Sequence, residues 1–121
     1  MGGQIRILVA DDHPLMRSGI AAEINAEADM SVVASAGDGE EALSLFRTHR
    51  PDIALIDLRM PKMNGLEVVR ELRNMAFGGK IFIFSSEIDE DVNDVYLTLK
   101  VDMVLPKPII LPELKQFLAE F

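Results

Sequence analysis

The fold is decided by residues 53–69, which read IALIDLRMPKMNGLEVV. The first part, Ile53–Leu58, is apolar almost throughout, which is typical of a central strand that helices cover on both faces. Asn64-Gly65 is a turn signal, and within Gly65–Met75 apolar residues recur near a period of 3.6, which predicts a helix. The stretch therefore predicts a β-strand, a loop and an α-helix in succession.

The same alternation of a short apolar run and a longer amphipathic segment recurs along the whole chain. The predicted strands are Ile5–Ala10, Met30–Ala36, Ile53–Leu58, Lys80–Ser85 and Asp102–Leu105. The predicted helices are Pro14–Ala28, Gly39–Arg50, Gly65–Met75, Asp89–Leu99 and Pro112–Phe121. Such alternation indicates an α/β fold with a mostly parallel sheet. Residues 1–121 are accordingly predicted to form one (βα)5 domain.

Two of the predicted strands are expected at the edges of the sheet. Met30–Ala36 contains fewer strong hydrophobes than the other runs. Pro106 cannot donate a hydrogen bond to a strand ladder, so the fifth strand should either lie at an edge or have ended by that residue.

The helix boundaries have local signals. Pro14 suits a first helical turn, where the missing N–H has no intrahelical partner to lose. Asp38 or Gly39 is expected to cap the second helix. Gly78-Gly79 is expected to end the third helix and to lead into the fourth strand.

Composition excludes several classes of protein. The 121 residues carry 12 Lys and Arg against 20 Asp and Glu, a net charge of -8, and this excess repels nucleic acids and anionic membranes. The chain has no Cys, which removes disulfides and thiolate chemistry and leaves oxygen and nitrogen ligands. Neither a signal peptide nor an apolar run of roughly 20 residues is apparent, so a cytoplasmic protein is expected.

Polar residues stand at the carboxyl ends of four predicted strands. These residues are Asp11 and Asp12 after the first strand, Asp57 at the third, Ser85 at the fourth and Lys107 after the fifth. Ligands of open parallel sheets bind beyond the carboxyl ends of the strands. We therefore expect these side chains to meet at one rim and to form a functional site.

The chemistry of this set suits a phosphoryl group. Three carboxylates close together repel one another unless a cation neutralises them, and Mg²⁺ favours such oxygen ligands. Lys107 would offset the charge of a phosphoryl group, and the hydroxyl of Ser85 would hydrogen-bond to one of its oxygens. Asp57, flanked by apolar residues in its strand, is the candidate nucleophile, as in enzymes that form an aspartyl phosphate.

Each of these residues also has a purely structural interpretation when it is taken alone. An acidic pair at a strand–helix junction is often an N-cap, and Asp57 could form a cap or a turn. Lys107 lies between two prolines and would by default be an exposed loop lysine. His13 follows the acidic pair, but Mg²⁺ prefers oxygen, so a rim or packing role is favoured for its ring. Only the joint placement at one rim indicates a site.

Four segments resemble the receiver domains of two-component response regulators, in the order and spacing of that family. They read ILVADDHPLMRSGI, IALIDLRMPKMNGLEVV, IFIFSS and LPKP. The opening DDHPL is similar to the subfamily whose regulators continue into a LuxR-type helix-turn-helix and regulate transcription. The resemblance covers almost the whole chain and implies a flavodoxin-like three-layer sandwich with strand order 2-1-3-4-5.

For the site, the resemblance implies that Asp57 accepts a phosphoryl group from a histidine kinase or a phosphotransfer protein. It implies a phosphoacceptor and not a turnover enzyme. The implied Mg²⁺ ligands are Asp12, Asp57 and the backbone carbonyl of Arg59, with Asp11 acting through water. The implied phosphate partners are Ser85 as the switch hydroxyl and Lys107, which would be followed by a cis peptide bond at Pro108.

Phosphorylation would then switch the surface of helix four, strand five and helix five, through which two copies could also form a homodimer. This chain departs from the family at Val104, where an aromatic residue usually rotates inward. Valine has no ring, so this part of the switch is absent or carried by another residue such as Tyr96.

Two other functions stay open at this stage. A receiver-like binding module without phosphorylation-dependent switching is favoured by Val104. The second is a small Mg²⁺-dependent phosphatase, but such an enzyme generally needs an acid two residues after its nucleophile, where this chain has Arg59.

Two further features each have two interpretations. The acidic run 87–94 near helix four suits either a solvated helix start or a signalling face. Ile109 and Ile110 suit either the core or a partner contact.

Overall fold

The computed structural model describes residues 4–85, 98–106 and 116. Its strands are β1 (Ile5–Ala10), β2 (Met30–Ala36), β3 (Ile53–Asp57), β4 (Lys80–Ser85) and β5 (Met103–Pro106). The helices bounded within these ranges are α1 (Pro14–Asn25), α2 (Gly39–His49) and α3 (Gly65–Asn74). Thr98, Leu99 and Gln116 are also helical, and the remainder of the two helices predicted at 89–99 and 112–121 lies outside the described residues.

The five strands form one parallel sheet in the order β2-β1-β3-β4-β5. This order confirms the expected topology, and β2 and β5 are the edge strands, as their sequences predict. The register pairs Ala10 of β1 with Ile56 of β3, and Asp57 of β3 with Phe84 of β4. The carboxyl ends of these three strands therefore lie side by side at one rim of the sheet.

Both faces of the sheet are buried, because alternate residues of each central strand point to opposite sides. On one face, Leu8, Ile56 and Ile83 belong to a core cluster that includes residues of α2 and α3. On the other face, Val9, Leu55 and Phe84 belong to a cluster that includes Ile20 and Ile24 of α1. Helices on both faces of the sheet confirm the three-layer α/β arrangement. Among the described residues, no helix is long and apolar enough to span a bilayer.

The predicted helix starts are confirmed at α1 and α2. Pro14 occupies the first turn of α1. Asp38 is the N-cap of α2, where its Oδ1 accepts a hydrogen bond from the backbone N–H of Glu41 at 2.9 Å. Position 39 needs glycine for a steric reason, because a Cβ there would overlap the backbone oxygen of Met63.

The prediction that Gly78-Gly79 ends the third helix is wrong. Helix α3 ends at Asn74, and Ala76 takes the left-handed conformation with φ 57°. The N–H of Phe77 then bonds back to the carbonyl of Leu72 at 3.0 Å, which closes the helix end. Gly79 serves a different purpose, because a Cβ at this position would overlap the backbone oxygen of Asp52 at the start of β3.

Several predicted boundaries shift by one to three residues. Helix α1 ends at Asn25 and not at Ala28. The chain turns after this helix, so that the backbone carbonyl of Asp29 accepts a hydrogen bond from the N–H of Ile5 at 2.8 Å. Strand β3 ends at Asp57 and not at Leu58, because the carbonyl of Leu58 accepts a hydrogen bond from Gly65 at 2.8 Å. Helix α2 stops one residue before Arg50, which is left-handed, and β5 lies one residue later than predicted.

Candidate functional site

The rim formed by the carboxyl ends of β1, β3 and β4 holds the buried polar side chains of the described part of the chain. Asp11 is 0% exposed, Asp57 is 2% exposed and Ser85 is 1% exposed, and no other polar or charged residue within the described ranges is buried. Burying carboxylates is costly unless they are compensated. Their concentration at one rim therefore marks a site and not a feature of the core.

The carboxylates of Asp11, Asp12 and Asp57 converge at this rim. One ligand atom from each of them, together with one from His13, lies within 4.8 Å of all the others. Asp12 is the partly exposed member, and its backbone follows directly on the buried Asp11. The predicted meeting of the three acids at the strand ends is confirmed.

His13 is the member of this cluster to which sequence reasoning assigned no site role. Its Nδ1 lies 2.9 Å from Oδ1 of Asp11, 3.0 Å from Oδ1 of Asp12 and 3.9 Å from Oδ2 of Asp57. The ring is 64% exposed, so it stands at the rim. Its position directly after the acidic pair indicated the rim, but the preference of Mg²⁺ for oxygen argued against a ligand role.

The simpler interpretation of the acidic pair as an N-cap is wrong. The N-cap residue of α1 is His13, and its side chain makes no capping hydrogen bond. Instead, Oδ1 of Asp11 accepts a hydrogen bond from the backbone N–H of His13 at 2.9 Å. This bond orients the Asp11 carboxylate toward the rim.

The backbone of Asp11 is fixed on two sides. Its N–H bonds to the carbonyl of Ala36 in β2 at 3.0 Å. Its carbonyl accepts a hydrogen bond from Nη1 of Arg17 in α1 at 2.7 Å. The acidic loop is thus attached both to the neighbouring strand and to the helix that follows it, and Arg17 is a positioning residue that the sequence did not indicate.

The loop between β3 and α3 brings Arg59 beside Asp57. The N–H of Arg59 lies 3.3 Å from Oδ1 of Asp57, and Asn64 caps α3 by accepting a hydrogen bond from Glu67 at 3.0 Å. The N–H of Gly65 bonds to the carbonyl of Leu58 at 2.8 Å, which draws the helix start onto the end of the strand. These bonds hold the loop in one path, as its turn formers predict.

A groove of about 550 Å³ opens beside the cluster along this loop. It is lined by Asp12, Leu58, Arg59, Met60, Pro61, Asn64 and Leu66. Because the exposed acid Asp12 forms part of its wall, a group lying in the groove can reach the carboxylates.

The structure describes some of the other residues predicted for the site and its switch, but not all of them. Ser85 is buried at the end of β4, on the strand next to Asp57. Lys107, and with it the peptide bond before Pro108, lies outside the described residues, as do Tyr96, the acidic run 87–94, Ile109 and Ile110. Val104 is half-buried, pairs with Ile83 and packs against the cluster on the α2 and α3 face.

The residues present fit a divalent cation. Three carboxylates offer oxygen ligands within 4.8 Å of one another, and two of these acids are almost fully buried. Hard oxygen donors at this density are the ligands that Mg²⁺ takes in proteins, with its other positions left to water or phosphate oxygens. The site can therefore hold a metal ion and a phosphoryl group side by side.

A parallel 2-1-3-4-5 sheet with an acidic cluster at the carboxyl ends of β1 and β3 defines a class of signalling domain. The chain belongs to the response regulator receiver domain family, because the sequence model of this family matches residues 7–119. Domains of this family serve two-component systems as phosphoacceptors, and they bind Mg²⁺ at the acidic pocket.

Particular relatives can be named. The nitrate/nitrite response regulator protein NarL of Escherichia coli K12 is 44% identical over 87 residues, which cover 71% of this chain and 40% of that protein. The signal receiver domain of a NarL response regulator from Mycobacterium tuberculosis has a TM-score of 0.89 at 30% identity, covering 98% of this chain and 95% of that one. The receiver domain of AraT from Geobacillus stearothermophilus has a TM-score of 0.85 at 34% identity, and the match covers 99% of this chain and 92% of that one. This chain spans about two fifths of the length of the curated relatives that it matches.

Proposed function

We propose that this chain is a Mg²⁺-dependent phosphoacceptor and that Asp57 is the residue that becomes phosphorylated. The observation that carries the proposal is the position of the Asp57 carboxylate. It lies at the end of a buried strand, 2% exposed, with its oxygen within 4.8 Å of ligand atoms of Asp11 and Asp12. A carboxylate held in this way can act as a nucleophile beside a cation.

Asp57 is favoured over the other two acids because of their surroundings. Asp11 is engaged by both the backbone N–H and the ring of His13. Asp12 stands on the loop after β1 and forms the groove wall. Asp57 is the last residue of the central strand β3 and pairs with Phe84 of β4, so its carboxylate is held at the rim by the sheet itself.

The reaction transfers a phosphoryl group from the phosphohistidine of a histidine kinase or phosphotransfer protein. An oxygen of Asp57 attacks the phosphorus, a P–O bond forms as the P–N bond breaks, and the imidazole leaves with the electron pair of that bond. Mg²⁺, held by Asp12, Asp57 and the Arg59 carbonyl with Asp11 through water, would offset the charge of the phosphoryl oxygens. Ser85 and Lys107 are the proposed partners of those oxygens.

The exposed side chain of Leu15 supports a docking surface for the phosphodonor protein. Leu15 is 90% exposed on α1, in the first turn after His13. A large apolar side chain in this position contributes little to the core. Leu15 would contact the donor while the phosphohistidine enters the groove, whereas Met16, which follows it, packs against the core cluster on the α1 face.

The surface proposed to carry the output signal consists of helix four, strand five and helix five. Phosphorylation would bias this surface between two states, and the same surface could form a homodimer or contact an output domain. With a net charge of -8, this chain is not proposed to bind nucleic acid directly. The location proposed for such a signalling domain is the cytoplasm, and residues 1–121 are proposed to be one domain.

A second candidate function is favoured by one observation, the half-buried Val104 in β5. Valine cannot carry the ring rotation that the family usually uses at this position. A receiver-like module that binds a partner without phosphorylation-dependent switching would keep the fold and need no such ring. The two functions differ in whether Asp57 is phosphorylated.

The test is incubation of the protein with Mg²⁺ and acetyl phosphate, followed by intact-mass measurement. We expect one base-labile phosphoryl adduct on the native chain and none on Asp57→Asn. The matched control is Asp29→Asn, which changes an exposed acid in the turn before β2 and should keep the adduct. An unmodified native chain, or an undiminished adduct on Asp57→Asn, would refute the assignment.

A further inference from the structure

His13 contributes a nitrogen atom to a cluster that otherwise consists of carboxylates. Its Nδ1 lies nearest to Oδ1 of Asp11 at 2.9 Å and to Oδ1 of Asp12 at 3.0 Å. The ring makes no capping bond to α1 and is 64% exposed. Its orientation toward the acids is set by the hydrogen bond between Nδ1 and Oδ1 of Asp11 and not by helix capping.

The spacing of the ring nitrogen matches that of a ligand atom. With metal–ligand distances of about 2.1 Å, adjacent ligands of an octahedral ion are about 3.0 Å apart and opposite ligands about 4.2 Å apart. The distance from Nδ1 of His13 to Oδ1 of Asp12, a proposed direct ligand, is 3.0 Å and equals the adjacent spacing. The 2.9 Å from Nδ1 to Oδ1 of Asp11, which is proposed to act through water, is a hydrogen-bond distance. The distance to Oδ2 of Asp57, 3.9 Å, falls between the two spacings.

The ring can take up such a position with little movement of the chain. The backbone N–H of His13 is fixed by its hydrogen bond to Oδ1 of Asp11 at 2.9 Å. The following residue, Pro14, begins α1 and restricts the backbone further. Only side-chain torsions of an exposed ring remain to be adjusted when a cation enters between the acids.

We infer that His13 is a metal ligand that sets the selectivity of this site among divalent cations. The inference rests on the proposed Mg²⁺-dependent function and deepens it. Imidazole favours borderline ions such as Co²⁺, Ni²⁺ and Zn²⁺, whereas Mg²⁺ favours oxygen. The site would therefore bind Mg²⁺ through the oxygen ligands proposed above, and would bind Co²⁺ through those ligands and Nδ1 of His13.

The first experiment measures dissociation constants for Co²⁺ and for Mg²⁺ by calorimetry on the native chain, His13→Ala and His49→Ala. The chain has 2 His residues, and His49 lies at the end of α2 outside the cluster, so it is the matched control. We expect His13→Ala to weaken Co²⁺ binding by about tenfold or more and Mg²⁺ binding by less than about threefold. His49→Ala should change neither value.

The second experiment detects the bond directly. The protein with ¹⁵N-labelled histidine is titrated with ¹¹³Cd²⁺, a diamagnetic ion that accepts both oxygen and nitrogen ligands. A bond between the ion and Nδ1 gives a scalar coupling on the His13 signal, whereas a ring that only hydrogen-bonds to Asp11 gives none. His49 should show no coupling.

The outcomes separate the inference from the function on which it rests. Equal weakening of Co²⁺ and Mg²⁺ by His13→Ala, no weakening of Co²⁺, or no coupling to Nδ1 would each overturn the ligand role. Asp12→Asn tests the metal site itself and should weaken both ions strongly. If Asp12→Asn leaves Mg²⁺ binding unchanged, the proposed metal site fails, whatever His13 does.

Discussion

Gly65 lies where the first turn of α3 passes over the end of β3. A Cβ at this position would overlap the carbonyl oxygen of Asp57 and the Cα of Leu58. Gly65→Ala must therefore push the helix start away from the strand that carries the phosphoacceptor. We expect the free energy of unfolding to fall by about 1–3 kcal/mol and phosphorylation by acetyl phosphate to slow, as measured by urea denaturation and intact mass.

The control for this prediction is Gly19→Ala in α1. Gly19 lies within the helix, and a Cβ there would meet no atom within 4 Å. Alanine has the higher helix propensity, so this change should stabilise the protein by up to about 1 kcal/mol. Similar effects of the two substitutions would show that contact with β3 is not what Gly65 provides.

Single residues also show how far the site could be predicted from sequence. Asp11, Asp12 and Asp57 were placed correctly because parallel topology brings the ends of β1 and β3 together, whatever the rotamers. The orientation of His13 toward the acids depends on side-chain torsions, and Arg17 acts through a bond to a backbone carbonyl. Neither the torsions nor that bond leaves a pattern in the sequence.

At the scale of elements, α2 depends on its N-cap, Asp38. The backbone N–H of Glu41 lowers the pKa of Asp38 below its usual 3.8, desolvation of the carboxylate opposes this shift, and the Lys62 ammonium, at 3.6 Å, lowers the pKa further. Because the pKa is depressed in the folded state, the stabilising contribution is fully present above about pH 4. It is lost as the pH falls below 3.8 and through the lowered pKa.

Asp38→Asn separates the charge of this cap from its geometry. Asparagine accepts the same backbone hydrogen bond but does not titrate. We expect the melting temperature of the variant to fall less steeply than that of the native protein as pH is lowered from 5 to about 3. Asp38→Ala should be less stable than Asp38→Asn at neutral pH, and parallel pH profiles of native and Asn proteins would contradict the assigned pKa.

Boundaries of elements were harder to predict than the elements themselves. The apolar runs located the strands because burial on both faces leaves a continuous signal. The end of α3 was predicted to within one residue, but the residue that terminates it was not, because Ala76 takes the left-handed conformation that glycine usually takes. The adjacent Gly78-Gly79 instead reflects the close approach of Gly79 to the backbone of Asp52, a tertiary contact that local sequence does not reveal.

For the whole molecule, the acidic balance is not spread evenly through the fold. Asp11 and Asp57 are buried at the carboxyl ends of the neighbouring strands β1 and β3. Away from this rim, Asp38 pairs with Lys62 and Asp102 pairs with Lys80, each at 3.6 Å. The strand order could be predicted once the family resemblance was recognised, since alternation alone leaves several orders open. The burial of Asp11 and Asp57, in contrast to the exposure of Asp12, depends on side-chain packing that the sequence does not show.

The concentration of carboxylates at this rim predicts that Mg²⁺ stabilises the folded protein. Folding brings the carboxylate of Asp57 beside those of Asp11 and Asp12, which are distant from it in sequence, so a cation bound between them binds only the folded state. At a Mg²⁺ concentration of 100 times its dissociation constant, the gain is about 2.7 kcal/mol, which raises the melting temperature by several degrees for a domain of this size.

The same measurement distinguishes site binding from general screening of the net charge. NaCl at matched ionic strength screens surface charges but does not coordinate carboxylates, so it should produce a much smaller rise in melting temperature. Asp12→Asn should lose most of the Mg²⁺ effect, and Asp29→Asn, which removes one exposed charge, should retain it. If NaCl matches Mg²⁺, or Asp12→Asn responds as the native chain does, the cation acts on the charge of the whole molecule and not at the rim.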